Sequence, residues 1–220
     1  MMAGYARQTR GSDVLLEVPL VDGHNDLPYN IRVYAKDQLK NFDFNKNLST
    51  DPYWSTIKSS YTDLPRLRKG RVGGQFWVAY VDCQAQYKDA LKQTIEQIDL
   101  IHRLIKAYPD DLQYVTTSQG IWDAFNNGKI ASMIVVEGGH SIDSQMGILR
   151  VMYSLGVRYM TLTHWCNTPW GDASPVDDPT TGVPVVHGGL SEFGKPILII
   201  FDKSLEWTMS ELGEITMGCQ

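Results

Sequence analysis

Three short stretches carry groups that could do chemistry: His24-Asn25-Asp26 and Glu137-Gly138-Gly139-His140 each place imidazole near carboxylate, and His164-Trp165-Cys166 adds a third imidazole. Each follows an apolar run. On an extended strand, residues two apart point to the same side, so His24 and Asp26 are expected to grip one ion together. Neutral imidazole with carboxylate is a ligand set suited to Zn²⁺. A carboxylate shared by two ions, the role open to Glu137, builds the kind of binuclear centre that drives hydrolysis. Singly, each stretch has a plainer reading. His24 and Asp26 can cap a turn, and Glu137 beside two glycines can be a turn carboxylate. His140 reads as a structural histidine, His102 as packed or solvated within a helix, and His187 lies in a Gly-rich loop with no clear partner. The joint pattern, acid and imidazole past three successive apolar runs, carries the metal reading.

The elements that must position these groups alternate strand with helix. Residues 17–22 (EVPLVD) read as a buried strand ended by Gly23. Residues 30–68, with Pro52 and Pro65, read as a long connection with room for a short helix. Residues 70–81 (GRVGGQFWVAYV) are a second strand, rich in Val and aromatics. Residues 88–108 form the clearest helix: Leu91, Ile95, Ile98, Ile101, Leu104 and Ile105 share one face and Pro109 stops it. Ser118 is read as the cap of a short helix that ends at Gly128. Residues 130–136 (IASMIVV) are apolar throughout, as in a parallel strand buried on both faces. A helix over 145–155, closed by Gly156, leads to a strand over 157–163 (VRYMTLT). The strand–helix–strand over 130–163 implies a parallel sheet and an α/β protein. A doubly wound sheet and a (β/α)8 barrel both fit this pattern. In a barrel the C-terminal strand ends share one mouth, where active sites lie.

The 220 residues carry a formal charge of −5, with 43% apolar and 20% charged residues. That is a globular composition, and its mild acidity argues against a nucleic-acid partner. No apolar run reaches the roughly 18 residues needed to cross a bilayer. Residues 1–14 have Arg7 and Arg10 but no apolar core, so they do not read as a secretory signal, and the chain as written is expected in the cytosol. Asn47-Leu48-Ser49 points the other way, being a glycosylation sequon that matters only in a secreted chain. The three cysteines, Cys83, Cys166 and Cys219, allow one pair and one leftover, and spacing does not choose between them.

Four blocks in order resemble the membrane (renal) dipeptidase family: residues 21–28 (VDGHNDLP), 73–77 (GGQFW), 136–142 (VEGGHSI) and 162–170 (LTHWCNTPW). The likeness runs from about residue 14 to 195 and includes 189–194 (GLSEFG). It implies a (β/α)8 TIM barrel and zinc-dependent hydrolysis of dipeptides, with two Zn²⁺ per chain. Carried over residue by residue, His24 and Asp26 match ligands of one zinc, Glu137 the bridging carboxylate, and His164 a substrate-contacting histidine that steadies the tetrahedral intermediate. Cys83 and Cys166 match an intrachain disulfide. The resemblance further implies secretion, N-glycosylation (here at Asn47), a glycolipid (GPI) anchor on the extracellular face of the membrane, and a homodimer.

The chain departs from that pattern in ways that matter. The family is about twice as long, and its second zinc is completed by two histidines further on; residues 196–220 contain none. The expected organisation is an unstructured segment over 1–13, the first half of a barrel over 14–195, and a divergent tail over 196–220. Half a barrel leaves the second zinc site incomplete, so impaired dipeptidase activity is expected. Two alternatives stand beside it. One is an inactive fragment that partners a full-length dipeptidase. The other is a mononuclear amidohydrolase-like enzyme, although such enzymes commonly open with H-x-H and this chain has His24-x-Asp26.

Overall fold

The computed structural model describes residues 11–195 and residue 197. The elements run α1 (Gly11–Val14), β1 (Leu20–Asn25), α2 (Leu27–Ala35), α3 (Leu64–Lys69), β2 (Val72–Tyr80), α4 (Ala90–Ala107), β3 (Leu112–Tyr114), α5 (Ser118–Asn126), β4 (Ile130–Glu137), α6 (Met146–Ser154) and β5 (Val157–Met160). Every strand pairing is parallel. β1 pairs β2 and β2 pairs β4; β3 lies beside the start of β4 (Leu112↔Ile130) and β5 beside its end (Val136↔Met160). The main staves therefore follow the order β1-β2-β4-β5, with β3 filling the lower part of the last edge.

Side-chain alternation separates the two faces. On one face Trp77, Ala79, Ile134 and Val136 pack under Leu27 and Ile31 of α2, Ile98, Ile101 and Leu104 of α4, and Leu149 and Met152 of α6. On the other, Phe76, Val78, Met133 and Val135 meet Ile121 and Ala124 of α5. Phe125 of α5 reaches the backbone of Gly73 at the start of β2, so α5 closes the N-terminal end of that inner face. Three helices on one face of consecutive parallel strands make the wall of a (β/α)8 barrel, of which this is about the first half.

Several boundaries differ from the sequence reading. β1 begins at Leu20 and continues past Gly23 to Asn25. Gly11–Val14 is helical, overlapping the end of the segment over 1–13 expected to be unstructured. Residues 196–220 lie outside the described residues except Ile197, which is buried. The long connection after α2 is packed: Phe42, Phe44, Leu48, Trp54 and Ile57 are buried, with Phe42–Trp54 and Phe44–Trp77 meeting edge to face at 5.0 and 6.0 Å. Its end is pinned by the fully buried Asp63, which caps α3 by accepting the Arg66 N–H, takes the Leu48 N–H at 2.8 Å, and pairs with the Arg66 guanidinium at 2.6 Å. A buried carboxylate satisfied this way anchors the connection on the sheet.

Candidate metal centre

The sequence reading put His24 and Asp26 on one side of a regular strand. The structure brings them together differently. Asp22 pairs with Gln75 but Asn25 pairs with Trp77, so β1 holds one extra residue there, a β-bulge. The bulge reverses the alternation: Val21 packs on the inner face, whereas the Asn25 amide donates to Gln75 Oε1. His24 is thereby turned toward Glu137. Asp26 lies beyond the strand, as the N-cap residue of α2, yet makes no side-chain cap bond. Asn25 does that work instead, its Oδ1 accepting the Leu27 N–H at 3.0 Å. The Asp26 carboxylate is left to face His24.

Glu137 is the last residue of β4, on the inner face in step with Met133 and Val135. One carboxylate oxygen lies 3.5 Å from His24 Nε2 and the other 3.5 Å from His164 Nε2. His24 Nε2 is 3.4 Å from Asp26 Oδ1. One ligand atom from each of His24, Asp26 and Glu137 falls within 4.8 Å of the others. Glu137 and His164 are the enclosed members, at 15% and 21% side-chain exposure, against 40% and 49% for His24 and Asp26. An open cleft of about 470 Å³ adjoins the His24–Asp26 side and is lined by Asn30, Ser59, Thr62 and Arg66.

The electrostatics ask for a cation. Hydrogen bonding to Asp26, then to Glu137, outweighs burial and pushes the His24 pKa up to about 10. An imidazole held protonated by two carboxylates marks a place where positive charge belongs. One imidazole and two carboxylates also form a donor set of the kind that holds a divalent metal. These residues therefore fit a metal ion.

The turn after β4 has its own requirements. Gly138 has φ +94°, a conformation side chains rarely adopt, and its N–H donates to Thr161 Oγ1 at 2.7 Å. His140 is buried, with Nε2–H donating to the Val81 carbonyl at 2.9 Å; burial pushes its pKa down, so it is a neutral structural imidazole. His164 lies four residues past β5, its ring edge-on to Tyr80 at 4.8 Å. Cys83 and Cys166 form a disulfide with Cα atoms 5.8 Å apart, which ties the loop after β2 to the loop carrying His164. Cys83, His140 and Cys166 cluster for that reason. His102 Nε2 lies 3.0 Å from the Leu155 carbonyl. His187 does have partners: Nε2 lies 3.2 Å from the Thr168 carbonyl, and its N–H donates to Asp172. Sequence reasoning passed over Asp22 and Tyr159, which hold the peptide group before His24, Asn25, which caps α2 in place of Asp26, and Tyr80, which packs on His164. A glycine inside a strand pattern was the available hint of a bulge at β1.

Half of a parallel barrel, with acid and imidazole gathered at the strand ends, defines the wall of a TIM barrel with a candidate metal centre at its mouth. The family model described as membrane dipeptidase (peptidase family M19) matches residues 8–201, and the chain belongs to that family. Dipeptidase verJ of Clonostachys rogersoniana is 42% identical over 218 residues, covering 94% of this chain and 51% of the relative. Dipeptidase 3 of Mus musculus is 45% identical over 161 residues, covering 73% and 30%. Among solved structures, the dipeptidase AC metallopeptidase has a TM-score of 0.65 at 18% identity, covering 85% of this chain and 54% of that one. A metallopeptidase of Rhodobacter sphaeroides, liganded with a phosphinate mimic of the dipeptide L-Ala-D-Ala, gives 0.62 at 17%, covering 85% and 56%. Both structural likenesses concern the fold. The chain spans about half the length of the first of these relatives. The family match extends six residues past the boundary expected at 195.

Proposed function

We propose that the chain carries the first half of a zinc dipeptidase centre, in which His24, Asp26 and Glu137 hold a zinc ion and His164 acts on the substrate. The observation that supports this most strongly is the convergence of the three ligand atoms within 4.8 Å at the C-terminal ends of β1 and β4. Zinc, when bound, supplies a coordinated water with its pKa lowered toward neutrality. Glu137 is placed to accept a proton from the attacking water and return it to the leaving amine. Its two oxygens face His24 and His164, so the one carboxylate joins the candidate metal ligand to the residue proposed to act on the substrate. His164, steadied by Tyr80, donates to the oxyanion that develops on the peptide carbonyl. His24 gives up its proton to become a ligand.

Dipeptides are the proposed substrates, a reading supported by the dipeptide mimic held by the bacterial relative. Asn47 is exposed and its Oδ1 accepts the Ser49 hydroxyl at 2.6 Å, which suits a glycosylation acceptor. The Cys83–Cys166 disulfide suits an oxidising compartment and so supports an extracellular setting for the whole protein; the GPI anchor and the homodimer are proposed on the family resemblance alone. The test is release of amino acids from a simple dipeptide by the pure chain supplied with Zn²⁺. Weak turnover is expected, abolished by Glu137→Gln and by chelation and restored by zinc. Turnover indifferent to Glu137→Gln would contradict the reading.

A second reading is an inactive chain that partners a longer dipeptidase. It is favoured by β1 and β5, each of which pairs on one side only among the described residues. It predicts no turnover, and co-elution with an intact relative in size analysis.

A further inference from the structure

Tyr159 lies on β5, yet its hydroxyl donates to the carbonyl of Gly23 in the bulge of β1, with β4 and β2 lying between. Its ring crosses the inner face against Phe76, centroids 5.2 Å apart. The Gly23 carbonyl and the His24 N–H belong to one peptide group. The other end of that group is held as well, since the His24 N–H donates to Asp22 Oδ1 at 3.1 Å. A bulge interrupts the ladder that otherwise fixes a strand's peptide planes, and here two side chains replace it. That plane sets the direction in which the His24 side chain leaves the backbone.

We infer that Tyr159 is a positioning residue for the metal centre: by pinning the Gly23–His24 peptide against Asp22, it holds the His24 imidazole toward Asp26 and Glu137. The inference rests on the proposed metal role of His24 for its consequence, but the pinning itself needs no metal. Groups that orient a ligand in this way typically govern affinity by 10–100-fold. Tyr159→Phe removes the hydroxyl alone and keeps the ring on Phe76.

The experiment uses the 220-residue chain in two states. In the metal-free protein, three-bond NMR couplings report the His24 χ1 rotamer: a single rotamer is expected in the parent and averaged values in Tyr159→Phe, with the melting temperature little changed. Titration with Co²⁺ alone, followed by its visible spectrum, is expected to show binding weakened about tenfold by Tyr159→Phe. The same substitution is expected to change nothing further in a His24→Ala background, the mark of a residue acting through His24. Asp22→Ala, which frees the opposite end of the peptide, is expected to act in the same direction and serves if Tyr159→Phe folds poorly. A His24 rotamer that stays fixed in the variant would overturn the inference whatever the metal does, as would equal weakening with and without His24. Averaged rotamers in a variant whose parent binds no Co²⁺ would uphold the positioning and sink the metal reading of the site instead.

Discussion

In the metal-free protein a proton on His24 supplies the positive charge that Asp26 and Glu137 require, and a metal ion must displace it. With the His24 pKa up at about 10, zinc binding near pH 7–8 is expected to release about one proton per ion. Calorimetry in buffers of different ionisation enthalpy measures this; zero release would contradict the arrangement. The stability consequence has a definite sign. A raised folded-state pKa contributes stability that is fully present below the ordinary value of about 6.5 and is lost as pH rises through 10. Metal-free protein is therefore expected to melt lower at pH 10 than at pH 6, with the difference reduced in His24→Ala, as thermal scans would show. At this scale the candidate ligands were legible because their residue types announce their chemistry, and the structure brings them together. Asp22 and Tyr159 were not, since a phenol on one strand and a peptide carbonyl on another meet only once the sheet has formed. The reason His24 and Asp26 converge was also hidden, because a bulge leaves every residue type unchanged while altering which side it faces.

Elements fix the mouth of the half-barrel through two joints. The first is the turn after β4, where a Cβ on Gly139 would overlap the buried Trp170 ring and the Leu162 carbonyl. Gly139→Ala is expected to destabilise the fold by about 1–3 kcal/mol and to displace the loop carrying His164. Chemical denaturation measures the first effect and Co²⁺ spectra the second; a neutral substitution would show that the loop is not packed there. The second joint is the disulfide across 83 residues of chain, worth on the order of 4 kcal/mol by the chain-entropy argument. Cys83→Ser is expected to lower the melting temperature substantially and to loosen His164, two residues from Cys166. The long apolar elements were readable in advance: 130–136 and 88–108 carry unbroken or 3.6-periodic patterns and appear as β4 and α4. α2 and α3 were absorbed into a connection. Each is short, each carries Pro in its first turn, and buried Asn30 and Asp63 look like surface residues until their partners are known. Three-residue β3 is too short for any period to show.

The described residues form an arc of parallel strands bounded by β1 and β5. β1 and β5 each have one unpaired side among the described residues, and apolar side chains stand exposed near them, including Leu16 and Leu20 beside β1 and Val151 and Leu155 before β5. Open parallel edges flanked by apolar surface favour association. The 220-residue chain expressed alone is expected to self-associate as its concentration rises, and light scattering over a dilution series would show it; a monomer at every concentration would mean that the edges are protected. A doubly wound sheet and a barrel were indistinguishable from the strand–helix alternation, because that alternation does not say on which face each helix packs. With helices on both faces, α5 lying opposite α2, α4 and α6, the barrel follows instead from the strand order β1-β2-β4-β5, which runs one way without the reversal of a doubly wound sheet, and from the likeness to the solved dipeptidase fold. The central claim is that His24, Asp26 and Glu137 hold one metal ion within this half-barrel. The number of zinc ions per folded chain, by elemental analysis of the purified protein after gel filtration, tests it most directly. One zinc per chain, lost in His24→Ala, is the predicted result; no zinc in the parent, or the same content in the variant, would contradict the account.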